Sequence, residues 1–345
     1  MAPPRMTWAF TISMLLAATA SAQHQVVCPG EAAGGYAAFP DVCRLKNGDL
    51  YCVFYSGYGH VSTPIEKWPK GGRIMAVRSF DKAKTWSKPV VAIDTELDDR
   101  DPSVACLKDG TLLLNWFILH KNHAAVLLAR STDNGKTWNK PIKLKVKSPY
   151  QFACSAPVRQ LPDGSLILGL YCDDKKTKVA CGATVKSYDG GKTWKDLALI
   201  GEKSGIYLDA ETDVVPLKDG KLLAALRSSK VDMHYAISDD AGKTWRPVKS
   251  FGFKGHCPYF LRHKSGVILL AHRLPATSLH WTADEGKTWH GPVQIDTVGG
   301  AYPSLVELPD GLVYCVYYEE GKGSSIRGMR LRVDPKGVTV VGRKE

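Results

Sequence analysis

Beyond its N-terminal stretch, the chain has no segment long and apolar enough to cross a bilayer. It has no low-complexity tract, so nothing in its composition argues for a disordered region. None of its nine cysteines is spaced as part of a zinc site, and no motif calls for a metal or a cofactor. No nucleic-acid recognition motif accompanies the net charge of +12. That charge reads either as a lysine-rich soluble surface or as attraction to acidic glycans. Acids are the scarcer sign, which makes any acid placed beside a base worth following.

What is present is ample apolar content, 44% of 345 residues, enough for a sizeable core. The stretch MAPPRMTWAFTISMLLAATASAQ has Arg5, an apolar run and then Ala20-Ser21-Ala22. It predicts a signal peptide over residues 1–22, and hence a secreted or periplasmic protein whose residues 23–345 form a single domain. Export permits disulfides, and Cys172 and Cys181 flank a charged loop across which they could pair. Cys52, Cys106 and Cys315 read as small core residues.

One short pattern recurs five times: SFDKAKTW (79–86), STDNGKTW (131–138), SYDGGKTW (187–194), SDDAGKTW (238–245) and TADEGKTW (282–289). It makes sense as a hairpin tip. Asp caps backbone N–H groups, Gly takes φ > 0 and Trp packs back over the turn. The first copy has Ala83 at the glycine position, so strain is expected there. Upstream of each copy stands an apolar strand, a glycine turn and a second apolar strand. The turn glycines are Gly48, Gly110, Gly164, Gly220, Gly266 and Gly311, one more than the tryptophan motifs. Six such units predict an all-β fold, a six-bladed β-propeller of four-stranded antiparallel blades. The last blade would be completed by SIRGMRLRV (325–333) and by the N-terminal HQVVCPG.

Counting nine residues back from each turn glycine gives Phe39, Asp101, Ser155, Glu211, Cys257 and Tyr302. Counting seven forward gives Tyr55, Phe117, Tyr171, Arg227, Arg273 and Tyr318. Both sets should surround one mouth of the central channel. Two arginines on consecutive blades match a carboxylate, because the planar fork makes paired charge-assisted bonds. A tyrosine becomes a nucleophile only beside a base, and Glu211 is placed to serve Tyr302.

These repeats and rim residues resemble the sialidase (neuraminidase) superfamily, in which the repeated motif is the Asp box. The segment ETDVVPLKDGKLLAALR resembles the one that opens on the glutamate activating the nucleophile and closes on an arginine of a carboxylate-binding triad. The resemblance thus implies catalytic roles for Glu211 and Tyr302, and substrate binding by Arg227 and Arg273. It gives Glu319 the place of an acid that steadies the triad's first arginine. Two positions depart from the pattern. Ala38 stands where the first arginine belongs, and the loop SGYGHVSTPIEKWPKGGR lacks the acid/base aspartate. Arg100-Asp101 holds the same register one blade later. Asp101 is therefore the first candidate for the acid, His60 the second, and Arg100 a further candidate for substrate binding.

The implied activity is release of a terminal acidic sugar from a glycan or glycoconjugate. Two alternatives fit the departures: a polysaccharide lyase acting on a uronate-containing glycan, and a carbohydrate-binding propeller without catalysis.

Overall fold

The computed structural model describes residues 24–120, 123–321 and 323–342. The predicted signal peptide lies outside them. The described residues form six antiparallel sheets in chain order and contain no α-helix. Blade 1 runs Tyr36–Arg44, Leu50–Gly57, Arg73–Ser79 and Val90–Ile93. Blade 2 runs Asp98–Cys106, Leu112–His120, His123–Ser131 and Ile142–Lys143. Blade 3 has Arg159–Gln160, Leu166–Asp174, Val179–Ser187 and Lys195–Ile200. Blade 4 has Ala210–Pro216, Leu222–Arg227, His234–Ser238 and Lys249–Ser250. Blade 5 has His256–Arg262, Ile268–Arg273, Thr277–Thr282 and His290–Gln294. In blade 6, Gly300–Glu307, Val313–Glu319 and Ile326–Asp334 are completed by the N-terminal strand Gln25–Cys28. This is the expected six-bladed propeller, closed as the sequence indicates. One addition was not expected: Gly337–Val340 pairs with the far half of Ile326–Asp334, giving blade 6 a fifth strand.

The core is divided among the blade boundaries. Each of six apolar clusters joins neighbouring blades, from Phe54 with Val316 between blades 1 and 6 to Leu270 with Leu223 between blades 5 and 4. Such sheets are apolar on both faces, which explains strands such as Leu112–Asn115 that are fully buried.

The repeated motif is a device at these boundaries. In its second copy Asp133 accepts the Lys136 and Thr137 N–H groups at 3.0 Å and the Thr137 hydroxyl at 2.6 Å. Ser131 Oγ accepts the Gly135 N–H at 2.8 Å. The tightened turn lays Trp138 of blade 2 against Tyr51 of blade 1, with ring centroids 6.3 Å apart. Trp86 of blade 1 meets Tyr314 of blade 6 in the same way, at 5.9 Å. Ala83, in the glycine position of the first copy, has φ 61°, the strained conformation expected of it.

Polar side chains stitch the blades nearer the axis. Asp41 accepts the N–H of Val42 on its own blade at 2.7 Å and that of Val104 on blade 2 at 2.8 Å. Asp213 likewise accepts from Val214 at 2.7 Å and from Phe260 of blade 5 at 2.6 Å. Cys52 and Cys315 are buried as expected, whereas Cys106 is half-buried. Cys172 and Cys181 are cross-strand partners with their sulfurs 3.4 Å apart, both as thiols.

Candidate active site

The inner strands of blades 1, 2, 4, 5 and 6 break register at one place, where an extra residue bulges toward the axis. Phe39, Asp101, Cys257 and Tyr302 occupy it with φ between 42° and 56°, each followed by a proline. A bulky L-residue takes that conformation only under constraint from its surroundings, and such strain is characteristic of functional sites. The bulge turns these side chains into the channel. Pro40, Pro102, Pro258 and Pro303 line a narrow cavity below, with Asp41, Asp101, Ser155 and Tyr259. Further along the axis, Arg159 forks Asp213 through Nε at 3.0 Å and Nη2 at 2.5 Å, and the Tyr259 hydroxyl donates to Asp41 at 3.1 Å.

Tyr302 and Glu211, on blades 6 and 4, meet directly. The tyrosine hydroxyl donates to Glu211 Oε1 at 2.6 Å. Arg227 Nη1 donates to both oxygens of the same carboxylate, at 2.7 and 3.0 Å. Burial would push the Glu211 carboxyl up, but Arg227 beside it, the tyrosine bond and Arg273 together hold it below the usual carboxylate range. Glu211 is therefore an anion poised to accept a proton. Tyr302 is raised, by burial first and then by Glu211, Cys257 and Asp101, and rests as the neutral phenol. Arg273 lies over the Tyr302 ring, 5.6 Å from its centroid, and donates to the Gly300 carbonyl at 3.2 Å.

Arg100 enters the rim from blade 2. It pairs in register with Phe117 as Ala38 pairs with Tyr55, so it does hold the place of Ala38 one blade on. Its guanidinium packs among Phe39, Tyr55 and Phe117 at 5.6–5.7 Å from the ring centroids. It donates to the His60 carbonyl at 2.5 Å and lies 3.4 Å from Asp98. The charges of Arg100, Arg227 and Arg273 all act on Tyr302. Asp101 accepts from Ser155 at 2.9 Å, while its buried Oδ1 has no hydrogen-bond partner. Burial pushes its carboxyl up to about 6, against the opposing effect of Arg100. His60 is half-exposed at the mouth, its ring edge-on to Phe39 with centroids 5.1 Å apart. Burial and Arg100 lower its pKa.

Glu319 is placed differently from expectation. It pairs with Arg327 of the next strand. The neighbouring Glu320 is the acid that reaches the mouth, accepting from Tyr318 at 2.6 Å and from Tyr36 at 3.0 Å. Two other rim residues escaped the sequence reading. Asp98 accepts from Tyr55 at 2.7 Å and, through the Ser62 N–H at 3.3 Å, anchors the loop that carries His60. His256 is the cross-strand partner of Arg273, and burial followed by the charge of Arg227 lowers its pKa to about 4. Counting ten back from each glycine, rather than nine, singles out Arg100 and His256 among small residues.

A six-bladed propeller with these boxes and a tyrosine–glutamate pair held by an arginine defines the sialidase-like class of BNR-repeat propellers. The chain belongs to the BNR repeat-like domain family, which it matches over residues 71–315. It is 27% identical to a sialidase of Micromonospora viridifaciens over 334 residues, covering 82% of this chain and 50% of that protein. It is 29% identical to a sialidase of Bacteroides fragilis over 206 residues, covering 50% of this chain and 37% of that one. The chain thus spans half or less of these relatives' length. Among solved structures, a Dyadobacter fermentans protein of unknown function superposes with a TM-score of 0.76 at 22% identity, over 87% of this chain and 96% of that one. The intramolecular trans-sialidase of Ruminococcus gnavus superposes at 0.69 and 14% identity, over 88% and 96%. At these identities the structural likeness concerns the fold alone.

Proposed function

We propose that the protein is an exported glycoside hydrolase that releases a terminal acidic sugar, sialic acid or a related one, from a glycan. The observation that carries this reading is the 2.6 Å hydrogen bond from Tyr302 to a Glu211 held ionised by Arg227. A carboxylate nucleophile would be repelled by a substrate carboxylate next to the reacting carbon, whereas a neutral tyrosine is not. Tyr302 Oη attacks the anomeric carbon as its proton passes to Glu211. The glycosidic C–O bond breaks, and its oxygen takes a proton from an acid, Asp101 first and His60 second. Water then gives a proton back to that group and attacks the anomeric carbon, and Tyr302 leaves with the proton held by Glu211. Arg227, Arg273 and Arg100 bind the substrate carboxylate, and their charge favours the developing phenolate. Export rests on residues 1–22, and N-terminal sequencing of the protein recovered outside the cytoplasm tests it.

One observation favours a second reading. His60 and Tyr302 both pack against the Phe39 ring, with centroids 5.1 and 4.8 Å from it, which brings two proton carriers to one side chain of the mouth. A lyase acting on a uronate needs such a pair. Incubation with a panel of acidic glycans separates the two. The hydrolase yields free sugar without the ultraviolet absorbance of an unsaturated uronate, and Tyr302→Phe lowers turnover by about 100-fold or more while the fold survives. Absorbance supports the lyase, and binding without turnover leaves a carbohydrate-binding propeller.

A further inference from the structure

The mouth face carries a second cluster of aromatic and cationic groups that the mechanism above does not use. Tyr207 lies in the segment joining blade 3 to blade 4, Lys230 in the loop after Arg227, and Lys175 in the mouth loop of blade 3. Lys230 Nζ stands 4.0 Å from the centroid of the Tyr207 ring. Lys175 Nζ donates to the Tyr207 hydroxyl at 2.8 Å and pairs with Asp173, which in turn accepts from that hydroxyl at 3.0 Å. The two lysines differ in one respect. Among the described residues, Lys175 has a carboxylate partner and Lys230 has none within ion-pair distance. A groove of about 540 Å³ opens beside them, lined by Tyr207, Lys230, Asp232, His234 and Ser250.

This groove is tied to the candidate active site. The Ser229 N–H donates to Asp209 at 2.8 Å, fixing the Lys230 loop to the segment that leads into Glu211. Lys230 is three residues from Arg227, so their backbones are at most about 11 Å apart along the chain. Arg227 in turn bonds the Glu211 carboxylate that accepts from Tyr302, so the Lys230 loop follows directly on the residues of the candidate active site. The groove volume falls in the range of small-molecule sites. An ammonium held only by an aromatic face can accept an anion without giving up a resident ion pair. The tyrosine offers a flat apolar surface beside it, suited to the C–H face of a sugar ring.

We propose that this groove is a second subsite, which takes an anionic sugar unit attached to the sugar in the Tyr302 site. It rests on the hydrolase reading and narrows it: the preferred substrate is a glycan carrying at least two adjacent acidic units. Lys230 contacts the second acid, and Tyr207 supports its ring.

The test compares wild type, Lys230→Gln and Tyr207→Leu on two substrates. One is 4-methylumbelliferyl α-sialoside, with a single carboxylate, and the other is α2,8-linked disialic acid, with two. On the disialic acid kcat/KM should fall about three- to fivefold in Lys230→Gln, the size of one exposed ion pair. On the single-carboxylate substrate it should stay unchanged. High salt should shrink the difference, because an exposed pair is screened. Equal effects on both substrates, or none on either, overturn the proposal. Failure of wild type to turn over either substrate overturns the hydrolase reading instead. The groove is then judged by calorimetry, with disialic acid and free sialic acid as the probes. A loss of affinity in Lys230→Gln confined to disialic acid supports the subsite, whereas equal affinities, or no binding of disialic acid, overturn it.

Discussion

Arg227 and Arg273 hold corresponding places on adjacent blades, yet their surroundings differ. Arg227 is the counter-ion of a Glu211 that is 2% exposed, while Arg273 donates to a backbone carbonyl. Both Arg→Ala changes should weaken binding of an acidic substrate. Only Arg227→Ala should also destabilise the fold, by about 3–5 kcal/mol, because it strands a buried carboxylate. Thermal melts of the two variants decide this, and equal melting temperatures would remove the structural role of Arg227. Asp101 carries a second residue-scale prediction. With a carboxyl near 6 in the free protein, it is protonated and able to act as an acid below that pH. The kcat/KM profile should therefore fall as pH rises through about 6, and Asp101→Asn should lack that limb. An unchanged limb in the variant would hand the role to another group, His60 first. At this scale the sequence was legible where a residue type is chemically scarce. Tyr302, Glu211 and the arginines stand out by register. Glu319 and Glu320 do not, because neighbouring side chains at a strand end point to different sides and spacing alone does not say which one turns inward.

The repeated turns are the elements that fix how blades meet. Each aspartate satisfies the N–H groups of a turn that would otherwise be open, and each tryptophan then has one place to lie. Trp138→Ala should cost about 3 kcal/mol or more, as loss of a large packed aromatic does. Its kcat should be unchanged once the protein is folded, since the turn lies at the opposite end of the strands from Tyr302. Denaturant unfolding followed by assay below the transition checks both halves, and loss of turnover in a stable variant would contradict them. Elements of this kind were readable because the turns demand particular residues. Gly48, Gly110 and their four equivalents all have φ between 84° and 94°, a demand that leaves a mark in the sequence. The fourth strands were harder to place. Ile142–Lys143 and Lys249–Ser250 are two residues each, too short for any apolar alternation to register.

For the whole molecule, closure depends on chain ends that are far apart in sequence. Gln25–Cys28 supplies the outer partner of Ile326–Asp334, and Val27 and Cys28 are buried in the cluster shared by blades 1 and 6. Deleting residues 24–28 should cost about 2–4 kcal/mol from those two side chains alone. It should also expose the edge of blade 6. A melting temperature equal to that of the undeleted protein would show that the ring does not need its clasp. The count of six units, and the joining of the two ends, followed from the sequence. The fifth strand of blade 6 did not, because Gly337–Val340 is brief and its pairing depends on how far Ile326–Asp334 extends past its N-terminal partner.

Arg100 occupies on blade 2 the register that Ala38 occupies on blade 1. In a ring of near-equivalent blades, such a shift by one-sixth of a turn leaves a group at the same height and the same distance from the axis. The rim therefore offers interchangeable addresses, and a function can change its blade without changing its depth. A charge can migrate around the mouth through two substitutions, one filling a small position and one vacating a large one, with no rearrangement of the backbone between them.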